Sequence, residues 1–319
     1  MKAAVYSQYG TPEVVKIQEA TKPLPKDNEI LVKVHTTTVT SGDWRMRAGD
    51  PFAIRLYNGL FAPKRTILGH EFSGVVDSVG KDVKHFKSGD PVFGLAGGEA
   101  GAHAEYVVVP ADGTVAPKPA SISDATAAAL PNGAMTALFF LKQANIQPGQ
   151  KVLINGASGS VGTYAVQLAK YFGAEVTAVC STRNVELVRS LGADNVIDYT
   201  QYDFTNNPEQ YHVIFDAVGK ASYNKSKKVL RKQGIFLTVA MSIPLLLQSV
   251  VASWVGKKKL ITAIAKMTPE DLRFVIQLVE KGQLRVVVDR RYSFSDISNA
   301  HEHAQTGHKI GNLVLELAS

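Results

Sequence analysis

Residues 152–170 read VLINGASGSVGTYAVQLAK, in which very small side chains join an apolar strand-like run to a helix-like run. The joining segment, 157–162, aligns with the pattern G-x-G-x-x-G, with Ala157 at the first glycine. Gly159 would let a pyrophosphate approach the main chain, and Gly162 would let the helix pack closely against the strand. The amides of the first helical turn would then face the phosphates, where the helix dipole favours negative charge. Taken alone the motif is weak, since a plain tight turn also fits it.

The segment lies within a regular alternation of apolar strands and helices. The apolar runs are KVLIN (151–155), AEVTAVC (174–180), NVIDY (195–199), HVIFDAV (212–218), GIFLTVA (234–240) and KLITAIA (259–265). Continuous apolar strands separated by helices indicate a parallel sheet that is covered on both faces. In this context the small-residue segment predicts a dinucleotide-binding site.

The part of the chain before this alternation has a different sequence pattern. Short β-like runs such as EILVKVHTTTV (29–39) and AEYVVV (104–109) alternate with Gly- and Asp-containing turns in the first 120 residues. This pattern indicates a mostly antiparallel β domain. The alternation of strands and helices begins after a helical stretch whose predicted N-cap is Ser123 or Asp124.

The end of the second parallel strand indicates which dinucleotide binds. Dehydrogenases that prefer NAD place an acidic side chain there for the ribose 2′-hydroxyl. Here the strand ends Cys180-Ser181-Thr182-Arg183-Asn184, and the next acidic residue is Glu186. A guanidinium and two hydroxyls would bind a 2′-phosphate that a carboxylate would repel. Ser181 and Arg183 therefore favour NADPH, although Arg183 as a plain solvated loop residue is the alternative.

With LGHEFSGVVDSVG (68–80), SGDPVFG (88–94), GAHAEYVVVP (101–110) and GHKIGNLVLEL (307–317), these motifs resemble the medium-chain dehydrogenase/reductase superfamily. Within it the chain is similar to the zinc-independent quinone oxidoreductases, over essentially its whole length. The resemblance implies an α/β fold in which a GroES-like β domain (1–123 and 267–319) accompanies a Rossmann domain with a doubly wound parallel sheet (124–266). It also implies NADPH-dependent reduction of quinones or α,β-unsaturated carbonyl compounds.

The resemblance also implies site residues. Those expected to bind the cofactor are Thr136, Ser158, Gly159, Ser160, Val161, Ser181, Arg183, Tyr199, Val218 and Ala240. Those expected on the substrate side are Thr40, Asp43, Trp44 and Tyr57, and His70 is a candidate proton donor because imidazole titrates near neutral pH. Of these, Thr40, Tyr57 and His70 are the predicted catalytic residues. His70 and its neighbour Glu71 as purely structural residues are the alternative.

Zinc-dependent members of the superfamily hold their catalytic metal with three protein ligands. The corresponding positions here are Thr40, His70 and approximately Asn132, so only one good ligand is present. We therefore expect no metal in the site. A zinc-type NADP-dependent alcohol dehydrogenase and a non-catalytic NADPH-binding protein are the alternative functions. His301, Glu302 and His303 are adjacent in sequence, and we expect them on a solvated helix face because residues two apart on a helix point in different directions.

The amino-acid composition limits the kinds of ligand and partner that the chain is expected to bind. A net charge of +7 from 35 basic and 28 acidic residues favours anionic ligands, but the charges are scattered and do not predict nucleic-acid binding. The single cysteine, Cys180, and an N-terminus without the apolar core of a signal peptide suggest a cytoplasmic protein. Segment 243–255 is predicted to be a short apolar helix at a pocket or subunit contact rather than a membrane span, with peripheral membrane contact as the alternative. The resemblance suggests a homodimer that pairs sheet edges near 235–265.

Overall fold

The computed structural model of the chain describes residues 1–97, 101–255 and 258–317, and at 251 and 253–255 it describes the backbone alone. The contacts between residues divide the chain into two units. The first unit contains Met1–Asn132, Thr268–Ile276 and Val288–Ser319, and the second contains Gly133–Met267 and Gln277–Val287. The domain limits at 123/124 and 266/267 stay predictions.

The described strands are β1 (Lys2–Val5), β2 (Lys16–Glu19), β3 (Glu29–Thr38), β4 (Glu71–Val79), β5 (Pro91–Leu95), β6 (Tyr106–Pro110), β7 (Val115–Pro117), β8 (Lys151–Asn155), β9 (Glu175–Cys180), β10 (Asn195–Asp198), β11 (Tyr211–Asp216), β12 (Leu230–Thr238), β13 (Lys259–Thr262), β14 (Val288–Ser293) and β15 (Asn312–Glu316). The described α-helices are α1 (Ser41–Ala48), α2 (Ala53–Asn58), α3 (Asp124–Ala128), α4 (Pro131–Ala144), α5 (Ser160–Tyr171), α6 (Val185–Ser190), α7 (Tyr223–Ser226), α8 (Ile243–Val255), α9 (Pro269–Glu280) and α10 (Ile297–Gln305).

The first unit is built on a largely antiparallel sheet in the order β14-β15-β3-β4-β5-β7, with β6 also paired to β3. Its long strand β3 shows the expected period of two, because Ile30, Val32 and Val34 all enter one buried cluster. Phe72 and Val76 of the neighbouring β4 pack into the same cluster. The GroES-like β architecture predicted for this part is confirmed.

The second unit contains a parallel sheet in the order β10-β9-β8-β11-β12-β13. In chain order this is 3-2-1-4-5-6, the arrangement of dinucleotide-binding Rossmann sheets. The central strands β8, β9 and β11 are largely buried, and Leu153, Val179 and Ile214 belong to one core cluster. The strand order reverses between β8 and β11, which is where open α/β sheets bind ligands.

The helix predicted over 243–255 is present as α8. Ser123 is the N-cap of α3 and accepts a hydrogen bond from the amide of Thr126, as predicted. The helical stretch that follows is divided in two at Pro131, whose ring cannot continue a preceding helix but suits the first turn of a new one. Within the described residues, no helix combines the length and apolarity needed to cross a bilayer.

Candidate functional site

The loop between β8 and α5 has the backbone geometry of a phosphate-binding turn. Its sharp bend is at Gly156, whose φ of 76° lies in the left-handed region that glycine adopts readily. A Cβ on Gly162 would lie 2.1 Å from the carbonyl oxygen of Gly156, so this position needs glycine for the helix to approach the loop. Gly159 is the N-cap of α5, and a Cβ there would come no closer than 3.5 Å to a neighbouring atom of the protein. The packing of the loop therefore does not require glycine at this position.

A dinucleotide pyrophosphate fits this loop. Ser160 and Val161 form the first turn of α5, where helix amides lack intrahelical acceptors and the dipole favours an anion. The side-chain amide of the buried Asn184 donates to Ser158 Oγ at 2.8 Å and to Ser181 Oγ at 3.2 Å. Among the described residues Asn184 Oδ1 has no hydrogen-bond partner, although buried polar atoms normally have one. Asn184 is not among the site residues predicted from the sequence, although it is the last residue of the stretch quoted from Cys180 onward.

The region predicted to bind the 2′-phosphate contains one acidic residue that is distant in sequence from the predicted residues. Asp198, at the end of β10, accepts a hydrogen bond from Thr182 Oγ1 at 2.5 Å and another from Thr200 Oγ1 at 2.7 Å. These bonds, with Thr182 first, lower the pKa of Asp198. The carboxylate is therefore occupied in fixing the loops around the exposed Arg183 and the half-exposed Tyr199. Parallel pairing of β9 and β10 brings these loops together, which is why their separation in sequence hid the contact.

The remaining predicted cofactor residues lie at the ends of neighbouring strands or on α4. Val218 follows β11 and would meet a Cβ on Gly156 at 2.4 Å, so it lies directly against the phosphate loop. Ala240 follows β12 and would meet a Cβ on Gly219 at 2.9 Å. Both residues thus lie at the carboxyl edge of the sheet. They follow β11 and β12, which stand on one side of the point between β8 and β11 where the strand order reverses.

Thr136 lies one turn along α4 from Gly133. A Cβ on Gly133 would come within 2.6 Å of Ser160 Oγ, so α4 approaches the start of α5 closely at this glycine. Because residues three apart share a helix face, Thr136 is placed on the side of α4 that faces the phosphate loop.

In the first unit, Asp43 joins two of the three predicted catalytic residues. Thr40 is the N-cap of α1, and its hydroxyl donates to Asp43 Oδ2 at 2.6 Å while accepting from the Asp43 amide at 3.3 Å. The other oxygen, Oδ1, accepts from the amide of Gly69 at 3.0 Å and lies 3.2 Å from Nδ1 of His70. The carboxyl group of Asp43 is fully buried, whereas the His70 side chain is 36% exposed. This arrangement fixes one ring nitrogen of His70 and leaves the imidazole accessible.

The charges of this pair support one another. Burial alone disfavours the ionised form of Asp43, but the hydrogen bond to His70 and the nearby imidazole of His103 hold the pKa of the carboxyl well below its usual range. Burial also opposes the charged form of His70, yet the hydrogen bond and negative charge of Asp43 raise the pKa of the imidazole above its usual value. His70 therefore holds a proton at a pH where an isolated histidine has largely lost it.

Glu71, the neighbour of His70, points into the protein interior. Its carboxyl group accepts from the hydroxyl of Thr38 and, at 2.7 Å, from the amide of Asn132 near the start of α4. Burial raises the pKa of Glu71 to about 7, with the hydrogen bonds of Thr38 and Asn132 acting in the opposite direction. Lys309 is its cationic counterpart, and burial lowers the pKa of that ammonium to about 8. Glu71 thus ties β4 to β3 and to the amide of Asn132, and its negative charge adds to that of Asp43 in raising the pKa of His70.

The third predicted catalytic residue, Tyr57, has other neighbours. It lies on α2 with 62% of its surface exposed, and the guanidinium of Arg65 lies 4.7 Å from the centroid of its ring. No described contact joins Tyr57 to Asp43 or His70. Its assignment stays a prediction.

The histidines of α10 differ from the expectation of a solvated face. His301 is fully buried, its ring contacts that of His103 edge-on at 5.7 Å, and neither of its nitrogens has a described partner. Burial lowers the pKa of His301 to about 3, so it is a neutral core residue. His303 is partly covered as well, since the hydroxyl of Tyr292 lies 2.9 Å from its Nδ1. Of the three, only Glu302 is exposed, whereas His301 is buried and His303 is partly covered.

The donor set does not fit a catalytic zinc ion. At the three positions that correspond to zinc ligands, the hydroxyl of Thr40 is engaged with Asp43, His70 offers one accessible nitrogen, and Asn132 is a neutral amide. Among the described residues, no group of three or more His, Cys, Asp or Glu side chains is arranged to hold a metal ion.

Two family models match the chain. The model described as "Alcohol dehydrogenase GroES-like domain" matches residues 26–120, and the model described as "Zinc-binding dehydrogenase" matches residues 191–315. They cover parts of the β-rich unit and of the parallel-sheet unit, respectively, and the second model continues into α10 and β15.

Similar proteins of known name span nearly the whole chain. A 2-methylene-furan-3-one reductase from Solanum lycopersicum is 33% identical over 99% of this chain and 79% of its own length. An "NADPH-dependent alkenal/one oxidoreductase, chloroplastic" from Arabidopsis thaliana is 31% identical over 99% of this chain and 79% of its own. The solved structure of a quinone oxidoreductase from Coxiella burnetii is 33% identical, with a TM-score of 0.91 over 100% of this chain and 99% of that one.

Proposed function

This chain belongs to the quinone oxidoreductase branch of the medium-chain dehydrogenase/reductase superfamily, and we propose that it reduces quinones or α,β-unsaturated carbonyl compounds with NADPH. The observation that carries the proposal is the phosphate loop, where Gly156 and Gly162 shape the turn and Gly159 leaves its outer surface open. The loop lies at the strand-order reversal of a Rossmann sheet, where a dinucleotide binds.

The protein's part in cofactor binding is to supply amides, hydroxyls and positive charge. The first turn of α5 and the Ser158 hydroxyl would hold the pyrophosphate, and the hydrogen bond that Asn184 donates to Ser158 Oγ would leave that hydroxyl free to donate to a phosphate oxygen. Ser181 and Arg183 would hold the 2′-phosphate that distinguishes NADPH from NADH. When bound, NADPH supplies a hydride from C4 of its nicotinamide.

The polar groups of the first unit suit a conjugated acceptor. Reduction of an isolated ketone leaves alkoxide charge that a metal often stabilises, and the donor set here does not fit zinc. A quinone or an enone instead spreads the charge over its own conjugated system, so a hydrogen-bond donor and one proton complete the reaction. The buried Asp43 contacts Nδ1 of the accessible His70 imidazole and stabilises its charged form, so the other ring nitrogen, Nε2, would donate the proton, and Thr40 fixes Asp43 in turn. Tyr57 is the further donor that we assign to the substrate side.

We also propose that the protein is cytoplasmic and homodimeric. β13 is the last strand of the described parallel sheet, and its outer edge offers main-chain groups for pairing with a second copy. Sedimentation velocity of the purified chain tests this assembly, and a species of monomer mass at micromolar concentration would contradict it.

The function is tested by following the oxidation of NADPH and NADH with a panel of quinones, 2-alkenals and longer enones. We expect turnover with NADPH and a much lower kcat/KM with NADH. Arg183→Ala should lower kcat/KM for NADPH by about 10- to 100-fold, since charged hydrogen bonds contribute about 1.5–3 kcal/mol, and should change that for NADH little. Arg189→Ala is the matched control, because Arg189 is an exposed arginine on α6 that pairs with Glu186.

Each alternative function has its own result in this experiment. Tight NADPH binding without turnover on any acceptor would indicate a binding protein. Turnover of alcohols that follows stoichiometric zinc would indicate a zinc-type alcohol dehydrogenase. A preference for NADH would overturn the role of Arg183.

A further inference from the structure

Asn184 occupies a helix N-cap position without capping the helix. It directly precedes α6, and an asparagine at that position normally accepts a hydrogen bond from an amide of the first helical turn. Here the side chain makes no such bond, and Oδ1 has no partner among the described residues. The residue is only 4% exposed, so its side chain is held by contacts within the protein. Its orientation therefore needs an explanation other than the start of α6.

The side-chain amide of Asn184 instead joins two loops. Nδ2 donates to Ser158 Oγ at 2.8 Å, in the loop between β8 and α5, and to Ser181 Oγ at 3.2 Å, directly after β9. The loops are neighbours because β8 and β9 pair in parallel, and the amide of Ala157 donates to the carbonyl oxygen of Val179 at 3.0 Å. One side chain thus connects the loop assigned to the pyrophosphate with the loop assigned to the 2′-phosphate.

These two bonds determine what each serine hydroxyl can do. A hydroxyl group has one proton to donate, and its oxygen can accept as well. Because both oxygens accept from Asn184, both protons point away from it, and no described residue accepts either proton. Ser158 and Ser181 are each partly exposed, so an acceptor from solution can reach them. Phosphate oxygens are strong acceptors, so two hydroxyls oriented in this way suit two phosphate groups.

We propose that Asn184 is a positioning residue for NADPH, which orients Ser158 to donate to the pyrophosphate and Ser181 to donate to the 2′-phosphate. The inference rests on the proposed function, since it concerns the same cofactor. A hydroxyl that is already oriented loses little freedom when its ligand binds, so the arrangement strengthens binding. NADH has no 2′-phosphate and uses only the Ser158 half. Asn184 therefore contributes to the preference for NADPH.

The proposal requires a hydrogen-bond donor at position 184. An aspartate has nearly the same shape, but its ionised carboxylate can only accept. In Asn184→Asp both serine protons would turn towards the carboxylate, and the hydroxyl lone pairs would face the phosphates beside an added negative charge. Asn184→Ala, by contrast, would leave both hydroxyls free to rotate and still able to donate.

Isothermal titration calorimetry of the full chain with NADPH and with NADH tests the proposal. We expect Asn184→Ala to raise Kd about tenfold for NADPH and about threefold for NADH, because orientation is lost at two hydroxyls in one case and at one in the other. Asn184→Asp should raise Kd for NADPH by about 100-fold or more, since each hydrogen bond to a charged group is worth about tenfold or more. KM for NADPH should follow Kd, while kcat at saturating NADPH should stay within about twofold.

Two controls separate positioning from folding and from net charge. Asn224→Asp changes the charge equally at an exposed position of the same unit and should bind NADPH like the unaltered chain. In the Ser158→Ala/Ser181→Ala background no hydroxyl is left to orient, so adding Asn184→Ala should change Kd by less than about twofold. A loss in that background as large as in the unaltered chain would show a general structural role and would overturn the proposal.

The other outcomes distinguish this proposal from the function on which it rests. Binding of NADPH by Asn184→Asp as tight as by the unaltered chain would show that the serines donate to residue 184, which contradicts the proposed orientation. Equal losses for NADPH and NADH in Asn184→Ala would exclude Ser181 and overturn the role in both loops. An unaltered chain that binds neither nucleotide, or that binds NADH more tightly, would refute the proposed function and the role of Asn184 with it.

Discussion

At the scale of single residues, the pair of Asp43 and His70 determines where a proton is held. Nδ1 of His70 lies 3.2 Å from a carboxyl oxygen that is fully buried and kept ionised by its neighbours. The imidazolium form of His70 is therefore stabilised, while the ring stays partly exposed to solvent. A histidine in solution has no such support, and this difference has consequences for the pH dependence of activity.

His70→Gln should lower kcat by about 100-fold at pH 7, the lower range for loss of a general acid. Because the pKa of His70 is raised, the rate of the unaltered enzyme should fall as the pH rises through a value above 6.5. In His70→Gln this alkaline limb should disappear, and in Asp43→Asn it should move to lower pH because the stabilising charge is lost. The measurement is kcat between pH 5.5 and 9. An unchanged limb in His70→Gln would show that another group donates the proton.

Glu71 makes a separate prediction about stability. Its pKa is about 7 in the folded protein and near 4.5 in an unfolded chain, so the folded state binds the proton more tightly. The stability that this carboxyl contributes is therefore full below about pH 4.5 and is lost as the pH rises through 7. Glu71→Gln keeps an acceptor for the Asn132 amide without the charge. The variant should gain stability relative to the unaltered protein as the pH rises from 5 to 8, by up to about 3 kcal/mol.

Denaturant unfolding at pH 5 and pH 8 measures this difference. Glu302→Gln serves as the control, since Glu302 is an exposed glutamate of the same unit. A difference between Glu71→Gln and the unaltered protein that shrinks with rising pH would contradict the buried, proton-binding carboxyl.

At the scale of elements, two glycines at the junction of β8 and α5 have different expected roles. Gly162 is needed for packing, and Gly159 is expected to leave room for the cofactor. Gly162→Ala places a Cβ 2.1 Å from the Gly156 carbonyl oxygen and should cost on the order of 3 kcal/mol of stability. Gly159→Ala meets no atom closer than 3.5 Å, so its melting temperature should stay nearly unchanged. Its methyl group instead occupies the space for the pyrophosphate and should weaken NADPH binding by tenfold or more. Thermal melting and fluorescence titration with NADPH measure the two effects, and a Gly159→Ala variant that binds normally would place the phosphates elsewhere.

The start of α1 gives a second prediction for an element. Thr40 forms a capping box with Asp43, because the side chain of each residue accepts a hydrogen bond from the backbone amide of the other. Thr40→Ala should lower stability by about 1–2 kcal/mol and lower kcat as well, since Asp43 loses a donor that fixes it. Thr40→Ser keeps the hydroxyl and should restore most of both quantities. Equal kcat in Thr40→Ala and the unaltered enzyme would limit Thr40 to a capping role.

Elements were more predictable from the sequence than side-chain environments. Continuous apolar runs and the small residues at 157–162 were enough to predict the parallel sheet and its first helix, because strand burial and close helix approach restrict local sequence. The helical period did not reveal that His301 is buried, since the face that a helix packs depends on its neighbours. The contact of Asp198 with Thr182 was also hidden, because it arises from pairing between strands that are distant in sequence. Asn184 follows the predicted residue Arg183 directly, but its role depends on reaching Ser158, 26 residues away.

At the scale of the whole molecule, the chain combines a β-rich unit that carries the Asp43–His70 pair with a parallel-sheet unit that carries the phosphate loop. The relatives that match over 99% of the chain include reductases of conjugated carbonyl compounds. The predicted family, fold class and enzyme activity are confirmed. The preference for NADPH, the site residues and the homodimer are properties that overall similarity does not determine, because each depends on a few side chains or one edge strand.

The most direct test is the oxidation of NADPH by the purified full chain after dialysis against a chelator, with a benzoquinone and a 2-alkenal as acceptors and the zinc content measured in parallel. Turnover on at least one of these acceptors by protein that contains far less than one zinc per chain is the expected result. Activity that is absent without zinc and returns in proportion to added zinc would contradict a reaction carried by NADPH and the chain's own proton donors.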